Sequence, residues 1–155
     1  MACIARDALD SFLSDLGQDY FWDILLLQEF DGTAGGYATE DHLLVTTDGH
    51  VVAVAPPCLG SRATGIVVHS RWIHCIVPNT FRYIPRASSL LVQWEGHNIC
   101  LVSAHLPTTS SNLESYSEAL EDLETLLDRP TINKLFRDLG IRDRDTNRQR
   151  YITIL

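Results

Sequence analysis

Apolar positions along the chain change period twice, and the changes divide it into a helix, a run of strands and a second helix. Ile4, Ala8, Phe12, Leu13 and Leu16 recur near helical spacing and predict an amphipathic helix over 4–16, with Gly17 placed to end it. Asp23-Ile24-Leu25-Leu26-Leu27-Gln28 is a continuous apolar run with polar ends and predicts a strand buried on both faces. The segment 31–36, Asp-Gly-Thr-Ala-Gly-Gly, predicts a loop. Residues 43–47 and 51–55 flank Asp48-Gly49, a strong hairpin signal because both residue types tolerate positive φ. Further strands are predicted at 65–69 and 73–77, and a second hairpin joins 90–94 to 99–104 through Glu95-Gly96-His97-Asn98. Pro56, Pro57, Pro78, Pro85 and Pro107 sit between these runs, where a missing N–H breaks no ladder.

The helical period returns at residue 113. Leu113, Tyr116, Leu120, Leu123 and Leu127 form one stripe, and Glu114, Glu118, Glu121, Asp122 and Glu124 fall largely off it. Ser111 or Asn112 can cap the start. A weaker helix is predicted over 131–139, closing at Gly140, and the polar stretch 142–150 is expected to be mobile. Many strands with helices at both ends of the run imply a layered α+β architecture, sheet on sheet with helices outside. Periodicity alone goes no further.

Composition bounds the class. The 155 residues are 45% hydrophobic and 21% charged, enough for one domain with a real core. No apolar run approaches the roughly 20 residues that span a bilayer, and no basic start precedes an apolar stretch. The expectation is therefore an intracellular chain, nuclear or cytoplasmic, with no membrane span. Cys3, Cys58, Cys75 and Cys100 form no C-x-x-C pair and are expected to be free thiols. A zinc site using Cys75 or Cys100 with His74 or His97 is the sharper alternative, but structural zinc needs a second matched pair and none is visible. The net charge of −8 is uneven: residues 1–128 carry 17 acidic and 5 basic side chains, and residues 129–155 carry 3 and 7. Such an acidic body argues against indiscriminate DNA binding, whereas a phosphate substrate bridged by a metal ion stays compatible with it. The basic tail is the one stretch with a nucleic-acid-like balance.

Three features together carry a resemblance. Trp22-Asp23-Ile24-Leu25-Leu26-Leu27-Gln28-Glu29 is an apolar strand ending in Gln-Glu. Arg86 precedes the hairpin of 90–94 and 99–102. Val102-Ser103-Ala104-His105-Leu106-Pro107 is a strand ending in His-Leu-Pro, followed by the Leu-rich acidic helix. In this order and spacing, with Thr64-Gly65-Ile66-Val67-Val68-His69-Ser70 as an inner strand between them, residues 4–128 resemble the endonuclease/exonuclease/phosphatase superfamily, and the acidic helix is similar to that of non-LTR retroelement endonucleases. The resemblance implies an α/β/β/α sandwich of mainly antiparallel strands, incomplete here. It implies Glu29 as a ligand of Mg²⁺ or Mn²⁺, and His105 and Arg86 as catalytic residues at a scissile phosphate. The substrate it implies is nucleic acid, with small phosphoesters such as an inositol phosphate or a phospholipid head group as the alternative.

The chemistry accounts for these residue types. Mg²⁺ prefers oxygen ligands and keeps several waters, so one or two carboxylates hold it. A histidine can donate to the phosphate or move a proton near neutral pH, and an arginine can pair with a phosphate oxygen or fix a carboxylate. Without the resemblance, Glu29 is an exposed strand-end carboxylate, His105 a turn histidine satisfied by backbone, and Arg86 the partner of a surface acid. His42, His50, His69, His74 and His97 read as ordinary polar residues.

Several parts of the family pattern are missing from these residues: the first core strand with its Asn, the Asp-x-Asn strand, and the terminal Ser-Asp-His motif. Asp145-Thr146-Asn147 has the D-x-N spacing, but no buried strand precedes it. The expected organisation is a partial domain over 1–128, truncated at both ends, followed by a divergent basic tail over 129–155. With so few of the catalytic parts, the chain is expected to be weakly active or inactive, or to serve as a non-catalytic binding or scaffold fragment.

Overall fold

The computed structural model describes residues 6–30, 43–55, 63–107, 113–127 and 150–154. The predicted loop at 31–36, the helix at 131–139 and the Asp145–Asn147 spacing lie outside the described residues, as do Cys3 and Cys58.

Helix α1 (Arg6–Asp19) buries Leu9 and Leu13 and half-buries Leu16. It differs from expectation twice. Phe12, assigned to the apolar stripe, is 46% exposed, and the helix continues past Gly17, with the Tyr20 amide still bonded to the Leu16 carbonyl. A Cβ at Gly17 would meet nothing within 4 Å, so this glycine costs only its intrinsic helix penalty of about 1 kcal/mol, which burial of Leu9 and Leu13 outweighs.

Two four-stranded sheets follow. The first has β1 (Ile24–Phe30), β2 (Leu43–Val45), β3 (Val51–Val54) and β4 (Ala63–Val68) in the order β1-β4-β3-β2, all antiparallel. Strand β1 was expected to be buried on both faces. It is a sheet edge instead, so Leu25, Leu26 and Leu27 are half-buried and Ile24 is partly exposed. The second sheet has β5 (Arg82–Ile84), β6 (Ala87–Trp94), β7 (His97–Ala104) and β8 (Arg150–Ile154) in the order β5-β6-β7-β8. Only the β7–β8 pair is parallel, with Cys100 opposite Tyr151 and Ser103 opposite Ile154. Strand β8 was read only as part of a polar tail. Its five residues are too short to show a period, and a parallel partner reached after a helix leaves no local turn signal.

The predicted strand at 73–77 is instead a 3-10 helix, Ser70–Cys75, with one bridge from Ile76 to Val92 beyond it. Its N-cap is His69, whose ring accepts from the Arg71 amide, and that local bond competes with extension of the chain. The β6–β7 hairpin turns through Glu95 and Gly96 at φ 48° and 76°, the two-positive-φ turn that matches strand twist.

Three apolar layers result. Leu9, Leu13, Trp22, Val52, Val54, Ala63 and Val67 join α1 to the outer face of the first sheet. Ala53, Ile66, Val68, Cys75, Leu90, Val92 and Leu101 fill the space between the sheets. Val77, Leu91, Cys100, Val102, Leu123 and Leu126 join the second sheet to α2 (Leu113–Leu127). The fold is an α/β/β/α sandwich of mainly antiparallel strands with open sheets. On α2 the buried face is rotated from the predicted stripe: Leu123 and Leu126 are buried and Leu120 is 37% exposed, because the C-terminal half of the helix makes the contact. No helix among the described residues is long and apolar enough to cross a membrane.

Candidate functional site

The layer between the sheets changes character along its length. At one end and through the middle its members are apolar: Leu26, Ile66, Val68, Leu90, Val92, Ile99 and Leu101. At the other end, strand alternation brings Thr64, Ser88 and Ser103 inward, each almost wholly buried. A buried hydroxyl is costly unless it is hydrogen-bonded. Thr64 Oγ1 donates to Ser88 Oγ at 3.0 Å, across the two sheets, and Ser103 Oγ donates to the Leu27 carbonyl at 2.8 Å. Ser88 and Ser103 are themselves opposite one another on β6 and β7.

The residues singled out in the sequence fall around this polar end. Between Leu27 (opposite Gly65) and Phe30 (opposite Ala63), β1 holds one residue more than β4, so Gln28-Glu29 forms a bulge. Bulges bend a strand and re-aim what it carries. Glu29 is two residues beyond Leu27, and His105 is two beyond Ser103. The Ser103–Leu27 hydrogen bond joins those strands, so the backbone of both residues lies at one end of the sandwich. The Glu29 side chain lies outside the described residues, and its placement rests on the backbone alone. Arg86 belongs to the same end. It occupies the second position of the Pro85-Arg86 turn between β5 and β6, at φ 72°, and its carbonyl accepts from the His105 amide at 2.8 Å. That φ is unfavourable for a residue with a Cβ. Arg86 and His105 are both half-buried.

Among the described residues no group of three or more His, Cys, Asp or Glu side chains could hold a metal ion. The alternative zinc pairing of His97 with Cys100 is incompatible with β7, because residues three apart on a strand face opposite sides. Cys100 points into the layer under α2, where burial pushes its thiol up to about 12. Of the residues singled out in the sequence, Glu29 is the carboxylate whose backbone lies at the polar end.

A second cluster, missed in the sequence, occupies the opposite end of the first sheet. Asp23, just ahead of β1, accepts at Oδ1 from Arg71 Nε at 2.9 Å, from Arg71 Nη2 at 2.7 Å and from the Trp72 indole at 2.5 Å. Arg71 also donates to the Trp22 carbonyl and lies over the Phe21 ring, 4.0 Å from its centroid. The Trp72 and Arg71 hydrogen bonds hold the Asp23 carboxyl below its usual value, with burial opposing them. Beside this group the rings of Trp22, His50 and His69 meet at centroid distances of 4.4 to 4.9 Å. Around the corner, Ile24, Val68, Trp72, Cys75, Val92, Trp94 and Ile99 line a cleft of about 200 Å³, with Asp23 at its rim. No motif spacing could have revealed the cluster, since Asp23 and Arg71 are 48 residues apart. The clue available was Trp22-Asp23 before a strand and His69-Ser70-Arg71-Trp72 after its partner strand. Comparisons of the chain with protein-family models, with curated proteins and with solved structures found no match.

Proposed function

We propose that the polar end of the sandwich is part of a divalent-cation-dependent phosphodiester site, with nucleic acid as its substrate class, and that the 155 residues alone hydrolyse poorly. The observation that carries the reading is the convergence of the β1 bulge at Glu29, the Arg86–His105 backbone contact and the buried Thr64–Ser88–Ser103 hydroxyls on one end of an otherwise apolar layer. Replacing the bonded Thr64–Ser88 pair by apolar side chains would be close to neutral for stability, so packing alone does not call for hydroxyls there. In this reading Glu29 supplies the carboxylate oxygen for Mg²⁺ or Mn²⁺, which when bound neutralises phosphate charge and lowers the pKa of its water. His105 donates a hydrogen bond or a proton to a phosphate oxygen. Arg86 pairs with a second oxygen, and its carbonyl fixes the His105 backbone.

Poor turnover follows from what these groups do not supply. None of them orients an attacking water. General acid–base help is worth about 10² to 10⁴ in rate, and each lost charge-stabilising donor about 10² to 10³ more. Losses among groups that act as a unit do not simply multiply.

The experiment is a pair of assays on the purified chain and its Glu29→Ala variant. Fluorescence anisotropy of a labelled DNA duplex should show Mg²⁺-dependent binding that the variant loses and that inositol phosphate displaces weakly. Nicking of supercoiled plasmid should stay close to the metal-free background. Displacement by inositol phosphate as effectively as by DNA would move the substrate to small phosphoesters. Metal-independent binding would support a scaffold role instead, and robust Glu29-dependent nicking would overturn the account of poor turnover.

A further inference from the structure

The opposite end of the first sheet holds two histidines with no place in the proposed phosphodiester site. His50 follows the β2–β3 turn and is buried; His69 directly follows β4 and is half-buried; their ring centroids are 4.4 Å apart. Both rings serve as acceptors for the first turn of the 3-10 helix. His50 Nδ1 accepts from the Ser70 amide at 3.0 Å, which leaves the proton of the neutral ring on Nε2. His69 Nδ1 accepts from the Arg71 amide at 3.3 Å, which leaves the proton of the neutral ring on Nε2, so the 3.4 Å approach of Nε2 to Arg71 Nη1 is no hydrogen bond. An imidazolium has a proton on both nitrogens and accepts from neither. Protonation would therefore set donor against donor at Ser70 and at Arg71, and would add positive charge beside the Arg71 guanidinium and beside the other ring.

We propose that the His50–His69 pair is a proton-operated latch on the 3-10 helix Ser70–Cys75, closed while both rings are neutral and released when they are protonated. The helix it holds carries Arg71 and Trp72, which clamp Asp23, and Trp72 and Cys75, which wall the apolar cleft. Release therefore loosens the clamp and exposes the cleft wall without requiring the sandwich to open.

The charges around the pair set its direction. For His50, burial favours the neutral ring and Arg71 does the same, while Asp48 from the turn and Asp10 from α1 oppose them. For His69, burial, His50 and Arg71 all favour the neutral ring, and Asp23 opposes them. Both groups bind protons less readily when folded than the usual histidine value of 6.5. The latch is thus fully closed above that value and opens as pH falls below it. Asp23 is held below its usual 3.8 and is still ionised in that window, so its own titration does not drive the release.

Amide hydrogen exchange at a series of pH values, corrected for the intrinsic rate, reads the latch directly. Between pH 7.5 and pH 5, protection at the Ser70 and Arg71 amides and at the Trp72 indole N–H is expected to fall at least about tenfold, the change expected when one binding-competent state loses a 1.4 kcal/mol advantage. Leu101 and Val102 amides, in the centre of β7, should keep theirs. In a His50→Asn/His69→Asn double variant, where Asn Oδ1 replaces the Nδ1 acceptor and cannot titrate, the fall should vanish. Unchanged Ser70 and Arg71 protection in the native chain, a matching loss across β7, or the same loss in the double variant would each overturn the latch. Should the double variant not fold, NMR titration of the native ring signals decides: both rings must titrate below 6.5, and a ring at or above that value refutes the proposal.

Discussion

Ser103 offers the sharpest energetic check on the polar end of the sandwich. Its hydroxyl is fully buried and donates at 2.8 Å to the Leu27 carbonyl, the last residue of β1 in register before the bulge. Ser103→Ala removes the donor while leaving the acceptor in place, so the carbonyl is left without this partner in the interior. Such a loss costs about 1–3 kcal/mol, and the missing oxygen leaves too little space to admit water. Thr64 and Ser88 behave differently. They bond to one another at 3.0 Å, and Thr64→Val/Ser88→Ala removes donor and acceptor together, which can be close to neutral. Urea unfolding followed by far-ultraviolet circular dichroism, with m-values compared across variants, measures both. Ser103→Ala should lower the midpoint with m unchanged and reduce Tm by about 2–4 °C for each kcal/mol lost. The double variant should shift the midpoint by less than Ser103→Ala does. If Ser103→Ala is silent, or the double variant is the more destabilised, the hydroxyls are not paired as described and the polar layer loses its meaning.

Arg86→Gly should be neutral or stabilising by up to about 1 kcal/mol, since φ 72° strains a residue with a Cβ, while DNA affinity in Mg²⁺ falls; denaturant unfolding and anisotropy on one sample separate the effects. Leu126→Ala should cost about 2–5 kcal/mol and Leu120→Ala under about 1 kcal/mol, which reports by thermal melting which face of α2 is buried. Trp72→Phe removes the indole donor, the larger of the influences on Asp23, and should move that carboxyl up toward 3.8 in an NMR titration. The sign follows from the lowered folded value: Asp23 contributes stability above pH 3.8 and loses it as pH falls further, so the variant should show a smaller stability loss on acidification below 3.8.

Local sequence carried most of the fold. Asp48-Gly49 and Glu95-Gly96 announced their turns, because positive φ restricts the choice of residue, and the acidic Leu-rich stretch announced α2 with its ends correct. What stayed hidden depends on distant partners. The first turn of the 3-10 helix at Ser70–Cys75 is held by Asp23 and His50, far away in sequence, as well as by the local His69 cap, and apolar residues at 73–77 gave the opposite impression. Strand β8 pairs in parallel with β7 across α2, so no turn residue signals it. At the candidate site, Glu29, Arg86 and His105 were visible as residue types at strand ends. The bulge at Gln28-Glu29, the left-handed Arg86 and the buried hydroxyls were not, since each depends on register between strands.

The central claim is that a divalent cation binds at the Glu29 end of the sandwich, and paramagnetic broadening locates such an ion without any need for turnover. Substoichiometric Mn²⁺ added to ¹⁵N-labelled chain should broaden the backbone amides of Leu27, Arg86, Ser103 and His105 first. Ser70 and Arg71, at the opposite end of the first sheet, should stay sharp, excess Mg²⁺ should restore the lost signals, and Glu29→Ala should abolish the pattern. Broadening centred on Asp23 and the histidine pair, or a pattern that survives Glu29→Ala, would contradict the account.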